Sequence, residues 1–208
     1  METSPSVVFE ISGGHPALDF VNTVGGNRRT RPREDLPSFA DLVTWAAQGG
    51  VLTPSEAKAL SREAVAHPAE AERALLRART FRESLYRLLS ALLESSSPPA
   101  EEVAALEAEV HRALALRRLK ASPNGFTWTT PGVALLDTVV PRIALAASEL
   151  LTSESLQRVR ICEATRTDEC SWLFLDGTRN HSRRWCNMAT CGNQHKARRH
   201  YARVRARR

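Results

Sequence analysis

Four cysteines lie close together near the end of this 208-residue chain, and the sequence holds no others. They are Cys162, Cys170, Cys186 and Cys191. Zinc takes four soft or borderline ligands in a tetrahedron, and four thiolates close that tetrahedron without an open position for water. The spacing is C-x7-C, fifteen residues and then C-x4-C, so that two short pairs flank a hairpin-length insert, which is typical of small zinc modules. We therefore expect one structural Zn²⁺ per chain.

Two other uses of these cysteines are open at this point. Two disulfides would need an oxidising compartment. The N-terminus, METSPSVVFEISGG, has neither the basic nor the apolar region of a secretory signal, so that we expect a cytoplasmic protein. Four unrelated buried thiols would have no reason to cluster. His195 lies four residues after Cys191 and is a further candidate ligand, but the four thiolates already complete a set.

The last thirty residues carry a strong positive charge. Residues 179–208 contain no Asp or Glu and ten basic residues, namely Arg179, Arg183, Arg184, Lys196, Arg198, Arg199, Arg203, Arg205, Arg207 and Arg208. The whole chain has a formal charge of +6, so the rest of it is mildly acidic. This asymmetry indicates a polyanionic partner, and a nucleic acid fits best because cations displace the counterions of its phosphates. A solvated basic tail is the alternative; an anionic membrane is disfavoured because the stretch lacks a broad apolar face.

The residues around the cysteines predict a folded module. The apolar and aromatic run 172–175 has strand character, and Asp176-Gly177-Thr178 supplies a turn. Residues 183–186 can then return as the partner strand of a β-hairpin. Four aromatic side chains are expected to pack this module: Trp172, Phe174, Trp185 and Tyr201.

A helix is predicted after the last cysteine, from about Gln194 to Arg207. It has no Pro or Gly, and Ala197, Tyr201 and Val204 form an apolar stripe at helical spacing. The opposite side would carry cations at successive i+3 or i+4 positions that can follow a phosphate backbone, namely Lys196, Arg199, Arg203 and Arg207. Knuckle, hairpin and helix together resemble a treble-clef finger.

The run D-G-T-R-N-H-S-R-R-W-C-N-M-A-T-C-G-N-Q-H-K-A-R-R resembles the CGNR-type zinc finger. The resemblance implies that the four cysteines are the zinc ligands, that Asp176 and Asn180 shape the hairpin turn, and that the protein binds DNA. The residues predicted to contact DNA are Arg183, Arg184, Lys196, Arg198, Arg199, Arg203 and Arg207. Gln194 departs from the pattern because it stands where the family has Arg.

Residues 1–155 predict a separate, mainly helical domain, and residues 156–208 form the finger. Helices are predicted over 38–48, from Thr53 to about His67, over 69–95, from about 100 to Leu119, and from Pro131 through Leu151. Short strands are expected at 7–11 and 125–130. The fold class is therefore mainly α with a few short strands and a small treble-clef-like finger. No stretch is long and apolar enough to span a membrane.

The segment L-D-F-V-N-T at residues 18–23 resembles the LDFxNT signature of the ABATE domain, which commonly precedes a CGNR finger. This resemblance implies a stress-linked bacterial transcription regulator. Asp19, Asn22 and Thr23 are candidate ligand-binding residues, since arginines follow at 28, 29, 31 and 33 and a small anionic ligand could sit between them. The alternative is that Asp19 and Asn22 bind local backbone, as these residue types commonly do.

We interpret the chain as a DNA-binding regulator. An RNA-binding module or a zinc-stabilised adaptor for an acidic protein is the alternative, and aromatic residues committed to packing favour duplex DNA over RNA. The six histidines are scattered and no phosphate loop, nucleophile elbow or H-E-x-x-H motif accompanies them, so we do not expect an enzyme. A homo-oligomer is compatible with the sequence.

Overall fold

A computed structural model describes residues 7–129 and 136–205 of the chain. Within those residues the helices are α1 (Pro16–Val21), α2 (Phe39–Gln48), α3 (Pro54–Ala66), α4 (Pro68–Leu93), α5 (Ala100–Leu116), α6 (Val139–Leu151) and α7 (Asn193–Arg205). The strands are β1 (Val24–Asn27), β2 (Arg31–Glu34), β3 (Arg118–Ser122), β4 (Gly125–Thr129), β5 (Val159–Ile161) and β6 (Leu173–Leu175). Consecutive strands form three antiparallel pairs, β1–β2, β3–β4 and β5–β6. The mainly α fold class is confirmed.

Helix starts follow from local capping. Ser38 and Thr53 precede α2 and α3, and each accepts from the backbone N–H three residues on while the acidic side chain there returns a bond. This reciprocal arrangement satisfies two of the N–H groups that have no partner inside the helix. Pro54 and Pro68 occupy the first position of their helices, where the missing N–H costs nothing.

The main core lies where α1, α2, α4 and α6 pack together. Phe20 of α1 is fully buried, with its ring centroid 5.2 Å from that of Trp45 and 6.4 Å from that of Phe81. Leu18 and Ile143 are also fully buried in this cluster. The short helix α1 is thus the centre of the hydrophobic core.

The predicted strand at residues 7–11 is wrong. Residues 7–11 pair with no strand, and one side chain binds their backbone: Gln48 Oε1 accepts from Phe9 N at 2.8 Å, and Gln48 Nε2 donates to Val7 O at 2.7 Å. A hairpin that the sequence did not predict, β1–β2, follows α1 instead. Gly26 lies in β1 opposite Pro32 and has φ of 72°, and a Cβ there would lie 2.4 Å from the Arg31 carbonyl oxygen.

Two helix boundaries differ from expectation because a second hairpin forms. Helix α5 ends at Leu116 and not at Leu119, since Leu119 pairs with Trp128 in β3–β4. The strand predicted at 125–130 is confirmed up to Thr129. Helix α6 begins at Val139; Pro131, its predicted start, lies outside the described residues.

The predicted hairpin between 172–175 and 183–186 is also wrong. Strand β6 pairs with β5, and Leu173 lies opposite Ile161. Segment 183–186 forms no strand; Arg183 N donates to Asp176 Oδ2 at 2.9 Å instead. Leu173 and Val159 are both fully buried in the main core. The pairing of β6 with β5 is therefore favoured because it buries these two side chains.

The apolar stripe predicted for the last helix does not pack. Tyr201 is 69% exposed and Val204 40% exposed, and Ala197 is exposed as well. Helix α7 is attached near its start, where the His195 ring lies 5.5 Å from the Trp185 ring and Arg198 forms an ion pair with Glu169. The rest of α7 presents all of its sides to solvent.

Candidate metal centre and nucleic-acid surface

The four cysteine sulfurs form one compact cluster. All four Sγ atoms lie within 4.8 Å of one another, with 3.7 Å between Cys170 and Cys186 and 3.6 Å between Cys186 and Cys191. A disulfide needs about 2.05 Å, whereas a tetrahedron with Zn–S bonds of about 2.3 Å has S···S edges of about 3.8 Å. The spacing therefore fits four thiolates around one metal ion and excludes the disulfides.

Each pair of cysteines is held by its own loop. Cys162 follows β5, and its N–H donates to the Trp172 carbonyl at 2.9 Å. Thr165 closes the first loop, since its Oγ1 donates to Cys170 O at 2.6 Å, and Trp172 N donates to the Cys170 sulfur at 3.5 Å. An N–H directed at sulfur stabilises the thiolate form that a metal requires.

In the second pair, Cys186 precedes a π-helical turn, Met188–Gly192, and Cys191 lies within that turn, which leads directly into α7. Asn187 caps this turn by accepting from Ala189 N at 2.8 Å. The Met188 side chain packs over Gly192, where a Cβ would lie 2.4 Å from the Met188 sulfur unless that side chain moved. The cysteine loop therefore fixes where the basic helix starts.

The donor set fits zinc and not a metal that prefers oxygen ligands. Three of the thiols are buried, and Trp172 and Phe174 pack beside them. Hydrogen bonds from the other three thiols lower the pKa of Cys162, and the same contacts raise the pKa of Cys186. A bound cation removes this conflict, because it stabilises all four thiolates together. These four residues would hold one structural Zn²⁺.

The family comparisons agree with this geometry. A model described as "Putative stress-induced transcription regulator", the ABATE domain, matches residues 14–154, which is more than half of the chain. The chain belongs to the ABATE family. Residues 158–204 match the CGNR zinc finger, so the two domains occur in the order that the sequence motifs predicted. No curated protein matches the chain.

The seven predicted DNA-contact residues of this ABATE protein fall into four groups, of which Arg183 forms the last. Lys196, Arg199 and Arg203 are exposed on α7, and among the described residues no carboxylate pairs with them. Arg184 and Arg198 are partly exposed but already form ion pairs, Arg184 with Glu163 at 2.5 Å and Arg198 with Glu169. The seventh residue, Arg207, lies outside the described residues.

The Arg183 guanidinium makes its contacts within the protein. Its guanidinium carbon lies 4.4 Å from the Phe174 ring centroid, and its nitrogens donate to the carbonyls of Trp185 and Cys186. A further bond, at 2.8 Å, reaches Ser12 O at the other end of the chain. The guanidinium thus joins the metal loop to the N-terminal segment, and a role in DNA contact stays a prediction.

The LDFxNT motif of the ABATE domain contacts the finger directly. Asn22, which is only 3% exposed, accepts from Leu173 N at 2.9 Å and donates to Leu173 O at 2.8 Å. Its amide therefore completes the free edge of β6 as a strand would. Gly13 O accepts from Leu175 N at 2.7 Å, and Trp172 Nε1 donates to Val24 O at 2.9 Å. We call these three contacts the interdomain clamp, and no pattern in the sequence predicts it.

The other two candidate ligand residues are also engaged within the protein. Asp19 Oδ1 accepts from Gly13 N at 2.7 Å, in the loop that carries the clamp. Thr23 Oγ1 donates to Phe20 O at 2.7 Å and accepts from buried Arg82. Burial raises the pKa of Asp19 to about 6, although its hydrogen bond from Gly13 acts in the opposite direction. These contacts favour the backbone-binding interpretation of the motif, and ligand binding stays a prediction.

Carboxylates already neutralise most of the arginines that were to attract an anionic ligand. Arg28 pairs with Glu83, Arg29 with Asp168 and Arg33 with Asp35. Arg31 is exposed on β2. His15, the one histidine near Asp19, caps α1 by accepting from Ala17 N, and burial lowers its pKa.

The described helices include no membrane span. Within residues 7–129 and 136–205, none combines the length and the apolar character needed to cross a bilayer.

Proposed function

We propose that this ABATE protein is a cytoplasmic transcription regulator that binds duplex DNA through the cationic face of α7, with zinc holding the start of that helix. The observation that carries the proposal is the exposed, carboxylate-free set Lys196, Arg199 and Arg203. Their spacing places them on one side of the helix, where they can neutralise successive phosphates. The four-cysteine site has no open ligand position, which supports a structural role for the metal and a non-catalytic protein.

Charge pairing supports the choice of this face. Glu163 and Glu169, two acidic residues of the first cysteine loop, are engaged by Arg184 and Arg198. The Arg198–Glu169 pair joins α7 to this loop, so it orients the helix and leaves the outer cations of the helix free. A phosphate backbone is the partner that such a row of cations binds without reading sequence.

RNA is the competing partner because Tyr201, which was expected to pack within the finger, is exposed. Trp172 and Phe174 are buried, but Tyr201 is 69% exposed beside the cations of α7. An exposed tyrosine can stack on an unpaired base, which is typical of binding to single strands. An acidic protein remains the third candidate, since it would meet the same charge.

The test is a binding assay with the full chain, loaded with zinc, against duplex DNA, single-stranded DNA and RNA of one sequence over a salt series. Duplex binding with a steep salt dependence is expected. Tyr201→Ala should leave duplex affinity unchanged, and Tyr201→Phe is its matched control because it keeps the ring.

A single strand or an RNA that binds more tightly than the duplex would overturn the duplex proposal. In that case Tyr201→Ala should lower affinity about 5- to 150-fold, as expected for loss of one stacked base. Absence of binding to all three nucleic acids would point to the acidic-protein partner.

A further inference from the structure

The β3–β4 hairpin carries an apolar face that nothing in the described chain covers. Leu119 and Trp128 lie directly opposite each other, and Phe126 follows on the same face because it is two residues from Trp128. The exposed fractions are 59% for Leu119, 72% for Phe126 and 60% for Trp128. No residue of either strand is buried. Such an exposed aromatic face marks an interaction site more often than a structural one.

The hairpin is also cationic. Residues 110–136 contain no Asp or Glu and four basic residues, namely Arg112, Arg117, Arg118 and Lys120. The Arg117 guanidinium carbon lies 5.9 Å from the Trp128 ring centroid, and Arg118 donates only to carbonyls of its own chain segment. Arg117, Arg118 and Lys120 have no carboxylate partner among the described residues. Because side chains alternate along a strand, Arg117 borders the aromatic face, whereas Arg118 and Lys120 project from the opposite face of the same narrow hairpin.

We infer that this hairpin is a second nucleic-acid contact, at which Trp128 and Phe126 stack on unpaired bases and Arg117 contacts a phosphate beside them, while Arg118 and Lys120 on the opposite face add to the positive charge that attracts the strand. Aromatic side chains beside a positive groove are what single strands require, because every base has a flat face and every linkage a charge. The inference goes beyond the proposed function and does not depend on α7.

Two other occupants fit the hairpin less well. A membrane would have to accept its tip, but residues 122–125 are Ser-Pro-Asn-Gly and offer no apolar group. A second copy of the chain would place Arg117 of each copy at one small interface between two cationic hairpins, and like charges across such an interface are destabilising. An anionic polymer with stackable groups satisfies both the rings and the charges.

The experiment uses Trp128 as its own reporter. Trp45 and Trp172 are buried and Trp185 is half-buried, so Trp128 is the most accessible indole to a neutral quencher such as acrylamide. Oligodeoxythymidine or oligouridine should protect this fluorescence, and the tighter of the two tells whether DNA or RNA is the source of the bases. In Trp128→Phe the protected component of the fluorescence should vanish. Any protection that remained in this variant would come from Trp185 in the finger.

Variants supply the affinity test. Trp128→Ala or Phe126→Ala should weaken binding of the protecting oligonucleotide about 5- to 150-fold, whereas Trp128→Phe keeps a stacking ring and most of the affinity. Thr127→Ala, on the opposite face of the same strand, is the matched control and should have no effect. Protection should persist when Lys196, Arg199 and Arg203 are replaced, which separates this site from the proposed DNA helix.

Several results would overturn the inference. They are absence of protection by either oligonucleotide, protection only by a duplex, protection only by vesicles of phosphatidylserine and phosphatidylcholine, and protection that rises with protein concentration alone. Each would leave duplex binding by α7 to be judged by its own assay.

Discussion

At the residue scale, Asp19 of the ABATE motif holds the Gly13 loop and is at the same time a buried acid with a raised pKa. Its carboxylate accepts from Gly13 N, while Gly13 O accepts from Leu175 N of the finger. Asp19 is 6% exposed, and burial is the main reason that its pKa rises. The L-D-F motif identifies Asp19 in the sequence. Its hydrogen-bond partner, the Gly13 N–H, could not be predicted, because no sequence pattern shows how the loop places that group.

The raised pKa predicts a pH dependence of stability. Burial raises the pKa of Asp19 from 3.8 to about 6, so the folded chain binds this proton more tightly than the unfolded chain does. The stabilisation is complete below the unfolded value and is lost as pH rises through the folded value. Asp19→Asn cannot ionise and keeps the acceptor oxygen. The free energy of unfolding of the wild type relative to Asp19→Asn should therefore fall by about 1 kcal/mol between pH 5 and 7.

Urea unfolding of both proteins at each pH measures this difference. Asp41→Asn, which makes the same chemical change at the start of α2, is the control. A difference between wild type and Asp19→Asn that stays constant or grows over this range would show that Asp19 does not titrate as a buried acid.

At the element scale, the interdomain clamp joins α1 and its flanking residues to β6. The bonds of Asn22 to both polar groups of Leu173 lie at the centre of this contact. The motif was predictable from the sequence, but its partner was not. Residues 22 and 173 are far apart along the chain, and the alternation of side chains identifies a strand without showing which segment pairs with it. For the same reason 172–175 was recognised as strand while its partner was misassigned.

Asn22→Ala should destabilise the protein by about 2–4 kcal/mol, because it leaves two buried backbone groups without partners. Asn22→Asp should also destabilise it, since a carboxylate can accept from Leu173 N but cannot donate to Leu173 O. Asn193→Ala, at the exposed start of α7, is the matched control. Chemical unfolding gives the values, and a change below about 0.5 kcal/mol for Asn22→Ala would be that of an ordinary surface site and contradict the clamp.

Helices were the elements that the sequence predicted best. The capping boxes at Ser38 and Thr53 and the apolar spacing of α4 act within a few residues, so they can be read locally. The hairpin β1–β2 was missed because Arg31–Glu34 has no apolar alternation and is exposed throughout. The stripe of α7 misled because helical periodicity shows which side is apolar, not whether anything covers it.

At the scale of the whole molecule, the finger and the helices share one core. Val159 and Leu173 come from the finger, yet they are fully buried with Leu18 and Phe20 of α1. The four cysteines were predictable as a metal set from type and spacing alone. Their dependence on the ABATE core was not, because a finger of this size can also fold by itself when it binds zinc.

Zinc removal should therefore destabilise the entire chain. Loss of the metal releases β5 and β6, and withdrawal of Val159 and Leu173 from the core costs about 1.5–3 kcal/mol for each side chain. If the finger and the helical domain folded independently, Cys186→Ser or Cys191→Ser would unfold only residues 160–208. The shared core predicts that a chelator lowers the melting temperature seen both by helical circular dichroism and by the near-ultraviolet signal of the aromatic residues. A helical transition that does not move on zinc removal would restore the picture of two independent domains.

The central claim is that the exposed cations of α7 bind DNA phosphates, and the salt dependence of duplex affinity tests it most directly. The full chain with Lys196, Arg199 and Arg203 replaced by alanine should lose affinity, and its slope of log affinity against log salt should fall by about 2.7, which is about 0.9 for each of three phosphate contacts. A variant that loses the exposed Lys58, Arg62 and Arg73 instead has the same net charge and should keep the wild-type slope. An unchanged slope and affinity in the α7 variant would contradict the account.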